Sequence, residues 1–126
     1  MNRILGVLTV VAVLAIGAAP SLAETLLGSR TVAYNSETDV IQVPGAARYR
    51  SVRFCVVQRA VHFRDLDVVF RNGGQQDLQV RSVIPAGDCT RWINLRGPRR
   101  NIARIVLRYD TLDNSGPRAV VRAYGR

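Results

Sequence analysis

The chain contains no lysine, one histidine, two cysteines and one tryptophan in 126 residues. Each scarcity removes a chemistry. Without lysine there is no Schiff-base nucleophile. The one imidazole, His62, sits in the strand-like stretch Val61-His62-Phe63-Arg64, where a half-covered strand histidine is the simpler reading than a general base. No Gly-x-Ser-x-Gly run is present, and no glycine cluster opens a helix, so neither a nucleophile elbow nor a phosphate loop is expected. Two cysteines and one histidine at these spacings fit no zinc pattern. Acids are scarce as well: nine Asp and Glu stand against 18 Arg. Asp65 and Asp67, at i and i+2, share one face of a strand and read as a solvated face opposite Leu66 and Val68. Glycosidase carboxylate pairs usually come from different elements at a set separation. Asp110, Asp113 and Asn114 offer oxygens for calcium, but without the spacing of a known calcium loop, and Asp/Asn/Ser/Gly/Pro is ordinary turn composition. No metal and no cofactor is expected, and a small hydrolase is the least favoured class.

Residues 1–23 have their own logic. Arg3 is followed by the uncharged apolar run 4–19, then Pro20, then Ser21-Leu22-Ala23 with small residues at the two positions a signal peptidase reads. This order predicts a secretory signal peptide cleaved after Ala23 and a single domain over 24–126. The alternative, a membrane anchor, needs about 20 apolar residues. No later segment approaches that length, so no transmembrane segment is expected after cleavage. The destination is a bacterial periplasm or the exterior. Cys55 and Cys89 both fall in the exported part, where two cysteines in a small domain most often pair.

Beyond residue 23 helical periodicity is missing. β-Branched and aromatic runs recur at 27–34, 40–43, 49–57, 60–63, 66–71, 77–83, 91–95, 102–109 and 118–124, separated by turn residues such as Pro44-Gly45, Asn72-Gly73-Gly74 and Gly97-Pro98. The pattern predicts an all-β domain, a small antiparallel β-sandwich (jelly-roll or immunoglobulin-like) of about eight strands. Two hairpins are expected. In the first, Leu66, Val68 and Phe70 face Leu78 and Val80 if 68 opposes 78, with the three-residue loop Asn72-Gly73-Gly74. In the second, 102–109 pairs with 118–124 with 108 opposite 120. Its outward face would gather Arg104, Arg108, Arg118 and Arg122 around Tyr124, with Asp110 near Arg118.

The exported part carries 17 Arg and nine acids, a net charge near +8. Such charge favours anionic partners, and the guanidinium fork chelates phosphate and carboxylate. Base-composition bias in a genome also replaces Lys by Arg throughout, so the net charge carries more weight than the identity of the residues. Specific nucleic-acid binding is not expected, because no recognition helix or aromatic ribonucleoprotein motif is present.

The stretches Leu26-Leu27-Gly28, Asp39-Val-Ile-Gln-Val43, Arg48-Tyr-Arg-Ser-Val-Arg-Phe54, Asp77-Leu-Gln-Val-Arg81 and Arg99-Arg-Asn-Ile-Ala-Arg-Ile-Val-Leu-Arg-Tyr109 together resemble a domain-of-unknown-function group of small exported proteobacterial proteins. The resemblance covers most of the chain after the leader. It implies a small, exported, β-rich domain and no assigned activity, cofactor or catalytic residue. The expected function is therefore a non-enzymatic binding or envelope-associated module whose basic face, Arg104, Arg108, Arg118, Arg122 and Tyr124, meets anionic polysaccharide or lipopolysaccharide. The alternative is a structural module that meets another envelope protein, or itself, through strand edges.

Overall fold

A computed structural model describes residues 23–34, 37–45, 47–111 and 116–126. Residues 1–22 of the expected leader (1–23), Asp113 and Asn114 lie outside the described residues. Among the described residues the regular elements are ten strands: β1 (Thr25–Thr31), β2 (Glu37–Gln42), β3 (Arg48–Tyr49), β4 (Ser51–Val57), β5 (Val61–Phe70), β6 (Gln75–Leu78), β7 (Val83–Ile84), β8 (Ile93–Asn94), β9 (Arg100–Thr111) and β10 (Val120–Gly125). They form two antiparallel sheets packed as a sandwich. One has the order β1-β10-β4-β8, the other β2-β9-β5-β6, with β3 pairing β9 and β7 pairing β5. With the two-residue strands β3 and β7 set aside, successive strands alternate between the sheets except at the β5–β6 hairpin. That is the jelly-roll arrangement rather than the immunoglobulin one.

Period-2 alternation places the core. Val52, Phe54 and Val56 of β4 and Val121 and Ala123 of β10 point inward against Phe63, Leu66 and Val68 of β5 and Ile105, Leu107 and Tyr109 of β9, all buried. Phe54 and Phe63 meet across the sandwich with ring centroids 6.4 Å apart. Two irregularities keep the apolar sets inside. In β5 the inward residues are odd-numbered up to Phe63 and even-numbered from Leu66. The register against β9 skips Arg64, so one bulge converts what looks like two strands, 60–63 and 66–71, into the single strand β5. A second irregularity, opposite Val69/Phe70, lets Ile102 and Ile105 both face inward while Ala103 falls between.

The first expected hairpin is present with a different register. Leu66 opposes Leu78 and Val68 opposes Gln76, two residues from the expected pairing. Both registers put Leu66, Val68, Leu78 and Val80 on one face, so hydrophobic pattern alone does not separate them. The loop decides: Phe70 N–H donates to Gly74 O (2.8 Å) and Gly73 N–H to Phe70 O (2.9 Å), enclosing Arg71-Asn72-Gly73. Gly73, at φ +96°, takes the left-handed position a three-residue loop requires. The expected strand 77–83 is broken where Val80 N–H bonds back to Leu78 O (2.8 Å). The expected strand 49–57 is likewise two: the chain leaves the six-stranded sheet after Tyr49 and enters the four-stranded sheet at Ser51.

The second expected hairpin does not form. Strand β9 lies between β2 and β5, and β10 between β1 and β4, in opposite sheets. Matching inward sets on two strands satisfy face-to-face packing across a sandwich as well as side-by-side pairing. In a jelly roll the first solution is the one taken.

Cys55 and Cys89 are joined by a disulfide, as expected, with Cα atoms 3.9 Å apart. Val56 N–H donates to Asp88 O and Thr90 N–H to Phe54 O on either side of it, so the cysteines form a non-hydrogen-bonded pair, the closer of the two antiparallel spacings. The disulfide staples the 85–90 segment to the outer face of β4.

Candidate anion-binding site

The topology disperses the face expected from the sequence. Arg104 and Arg108 lie on the outer surface of the six-stranded sheet, and Arg122 and Tyr124 on that of the four-stranded sheet, with Arg118 just ahead of β10. Arg108 is committed to carboxylates, its Nη1 2.7 Å from Asp65 Oδ2 and 3.4 Å from Asp67 Oδ2. Arg118 lies over the Tyr34 ring at 5.0 Å. Tyr124 opposes Arg53 on one side and Leu26 on the other. Asp110 does not approach Arg118 in a paired hairpin; it takes Arg64 Nη1 at 2.8 Å, with His62 Nδ1 at 3.9 Å. His62 is the half-covered strand residue expected.

Around Arg108 the acids gather. Asp65, Asp67 and Asp77 offer oxygens within 4.8 Å of one another, and Asp67 directly opposes Asp77 across β5 and β6. A hydrogen bond with Asp77, then Arg108, holds Asp65 below the usual carboxylate range. Burial and the Asp65 charge push Asp67 up, and the hydrogen bond to Asp65 pushes Asp77 up. A raised folded-state value makes Asp77 favour folding below the unfolded value and lose that contribution as pH rises through the folded one. At neutral pH it is one of two like charges in direct opposition, a pairing that costs roughly 0.2–1 kcal/mol. Asp77→Asn is therefore expected to raise stability by that amount at pH 7, with the gain fading toward about pH 3.9. Urea melts at both pH values check it, and a loss of stability at pH 7 would contradict it.

A different concentration of charge appears at one end of the sandwich. The starts of β4 and β9, the ends of β5 and β10, β3 and the β8–β9 loop all meet there. They bring together Arg48, Arg50, Arg71, Arg96, Arg99, Arg100 and Arg126. Segments 43–45, 47–51, 70–76 and 93–102 contribute no Asp or Glu. Glu24, level with this end beside Thr25, is held by Arg53 Nη2 at 2.7 Å. The other pairs, Arg30–Asp39, Arg64–Asp110 and Arg108–Asp65/Asp67, lie elsewhere.

Two clefts open at this end. The first, about 380 Å³, is lined by Arg48, Phe70, Arg71, Asn72, Arg99, Arg100 and Asn101. The second, about 440 Å³, is lined by Arg50, Ser51, Asn94, Arg99 and Arg126. Several guanidinium groups are fixed in place. Arg71 donates Nε to Gly45 O and Asn101 Oδ1, both at 3.1 Å, and Nη2 to Val43 O. Arg100 lies 3.6 Å above the Phe70 ring and donates Nη1 to Arg96 O at 2.7 Å. Arg126 lies 4.2 Å over Trp92, and its carbonyl accepts from Arg50 and Ser51 N–H. Arg48 and Arg99 are exposed and make no side-chain hydrogen bond or ion pair among the described residues. Fixed forks with donors left over, beside two unengaged guanidiniums, form a cluster of donors suited to oxyanions.

Reading the sequence strand by strand misses this site, because its arginines sit in or beside turns. The available signal was Arg-x-Arg at 48 and 50, Arg71 at a turn, and Arg99-Arg100 after Gly97-Pro98. Which turns share an end follows from strand order alone.

No curated protein and no solved structure matches the chain. Over residues 6–125 it matches the family described as a domain of unknown function (DUF2541). A small β-sandwich with a disulfide, matched over nearly its whole length, this chain belongs to the DUF2541 family.

Proposed function

We propose that this protein is an exported, non-enzymatic binding module that engages anionic ligands, of the kind presented by acidic polysaccharide or lipopolysaccharide, through the arginine end of its sandwich. The observation that carries the reading is segregation of charge. Five of the described acids, Glu24, Asp39, Asp65, Asp67 and Asp110, pair with arginines outside the cluster, while seven arginines converge where the lining segments hold no Asp or Glu. Concentrated like charge destabilises a fold, and a bound anion offsets that cost. Export is supported by the leader pattern of residues 1–23 and by the disulfide, which suits an oxidising compartment. A binding role without chemistry is supported by the cysteines being bonded to each other and by His62 lying at the start of β5, the end opposite the clefts. Association through strand edges has less support, since a register irregularity between Leu26 and Gly28 blunts the outer strand β1.

An amide NMR titration with a heparin hexasaccharide at about 0.15 M salt, where the Debye length is about 8 Å, tests the location. Shifts are expected at residues 48–50, 71–74, 96–101 and 126. Comparable shifts at Arg104 and Arg122, or none anywhere, would refute the reading.

A further inference from the structure

Resting on that reading, we infer that the arginine end recognises a saccharide bearing two phosphate groups, one seated in each cleft with Arg99 shared between them. The two clefts are distinct concave spaces that adjoin at one residue, Arg99. Two anionic groups on one ligand fit this division better than a single charge does.

The donor count points to phosphate. A carboxylate presents two oxygens in one plane and is satisfied by one guanidinium fork. The first cleft has four arginines, Arg48, Arg71, Arg99 and Arg100, and the second has three, Arg50, Arg99 and Arg126. A tetrahedral group with three terminal oxygens and a charge near −2 can draw on several cations at once. Arg71 and Arg100 spend some donors on Gly45 O, Val43 O and Arg96 O, which fixes their remaining N–H groups in advance.

The neutral lining points to a sugar between the phosphates. Asn72 and Asn101 line the first cleft, and Ser51 and Asn94 the second. Asn72 Oδ1 accepts Gly74 N–H at 3.0 Å, which commits its oxygen and leaves its amide N–H₂ to donate. Amides and hydroxyls of this kind match sugar hydroxyls, which both donate and accept. The shared chemistry has two sources, a free sugar bisphosphate or the headgroup of a diphosphorylated glycolipid.

The test compares inorganic phosphate, pyrophosphate, fructose 1,6-bisphosphate and vesicles carrying a diphosphorylated glycolipid, at physiological salt, on the wild-type chain and on Arg99→Gln. Arg99 is exposed and unpaired among the described residues, so the variant is expected to fold; its thermal melt confirms that. The bisphosphate or the glycolipid vesicle is expected to bind at least tenfold more tightly than either phosphate or pyrophosphate, each of which fills one cleft. Whichever of the two binds more tightly identifies the source. Arg99→Gln is expected to remove most of that advantage, bringing the affinity for the bisphosphate or the vesicle to within about threefold of that for inorganic phosphate. Affinities for phosphate and pyrophosphate equal to those for the bisphosphate and the vesicle would overturn the two-cleft assignment while leaving anion binding intact. No binding of any phosphate probe, with heparin still shifting the residues named above, would overturn phosphate as the ligand group. If heparin shifts none of them either, the underlying reading fails with it.

Discussion

Replacing both cysteines by serine is expected to lower the unfolding free energy by about 3–4 kcal/mol, the chain-entropy value for a loop of this length. The disulfide closes a 34-residue separation and joins a strand inside the four-stranded sheet to a segment held otherwise by a few main-chain bonds. Val56 bonds Asp88 and Gly87, and Phe54 bonds Thr90, within two residues of the bridge. Releasing it frees the 85–90 turn and weakens the seating of β8, whose pairing with β4 spans only Ser51↔Asn94 and Val52↔Ile93. Serine adds little penalty of its own, because Cys89 is exposed and Cys55 is on the outer face of β4. With a urea slope of about 1–1.5 kcal/mol/M for a domain of this size, the midpoint is expected to fall by about 2–4 M. Treating the wild-type chain with a reductant should reproduce the shift. A change below about 1 kcal/mol would mean that the native contacts alone hold this segment.

The class of fold was legible because alternation is a local signal. Leu66, Val68 and Phe70, or Val52, Phe54 and Val56, announce a buried face whatever strand lies beside them, and all six are buried. The neighbour is not a local matter. Ile105 and Val121 belong to the same core yet to different sheets, and their pattern is identical whether the strands pair or face each other. The β5 bulge was visible as a change of phase between Phe63 and Leu66, but a change of phase also marks two separate strands. The candidate site was harder to read for the same reason. Arg48, Arg71, Arg99 and Arg126 are scattered through the chain, and only the order of strands shows that their turns share one end. The arginines that alternation singled out, Arg104, Arg108 and Arg122, are the ones a regular strand displays. One of them is already engaged by Asp65 and Asp67.

In the proposed function, position and not total charge governs anion binding. Two double variants with the same change in net charge separate the two: Arg48→Glu with Arg99→Glu at the arginine end, and Arg104→Glu with Arg122→Glu on the two outer faces. Arg104 and Arg122 are exposed and have no side-chain partner among the described residues, so neither pair of changes breaks an ion pair. Each charge-assisted hydrogen bond contributes about 1.5–3 kcal/mol. Losing two such contacts and introducing two like charges should weaken heparin binding by about a hundredfold or more. Arg104 and Arg122 line neither cleft, and at 0.15 M salt the Debye length is only about 8 Å. The second pair should therefore change affinity by less than about fivefold. Isothermal titration of both variants with the same heparin hexasaccharide, after thermal melts confirm that each is folded, makes the comparison. Binding is expected to be lost in the Arg48/Arg99 pair and to stay near normal in the Arg104/Arg122 pair; equal losses would mean that total charge alone governs binding.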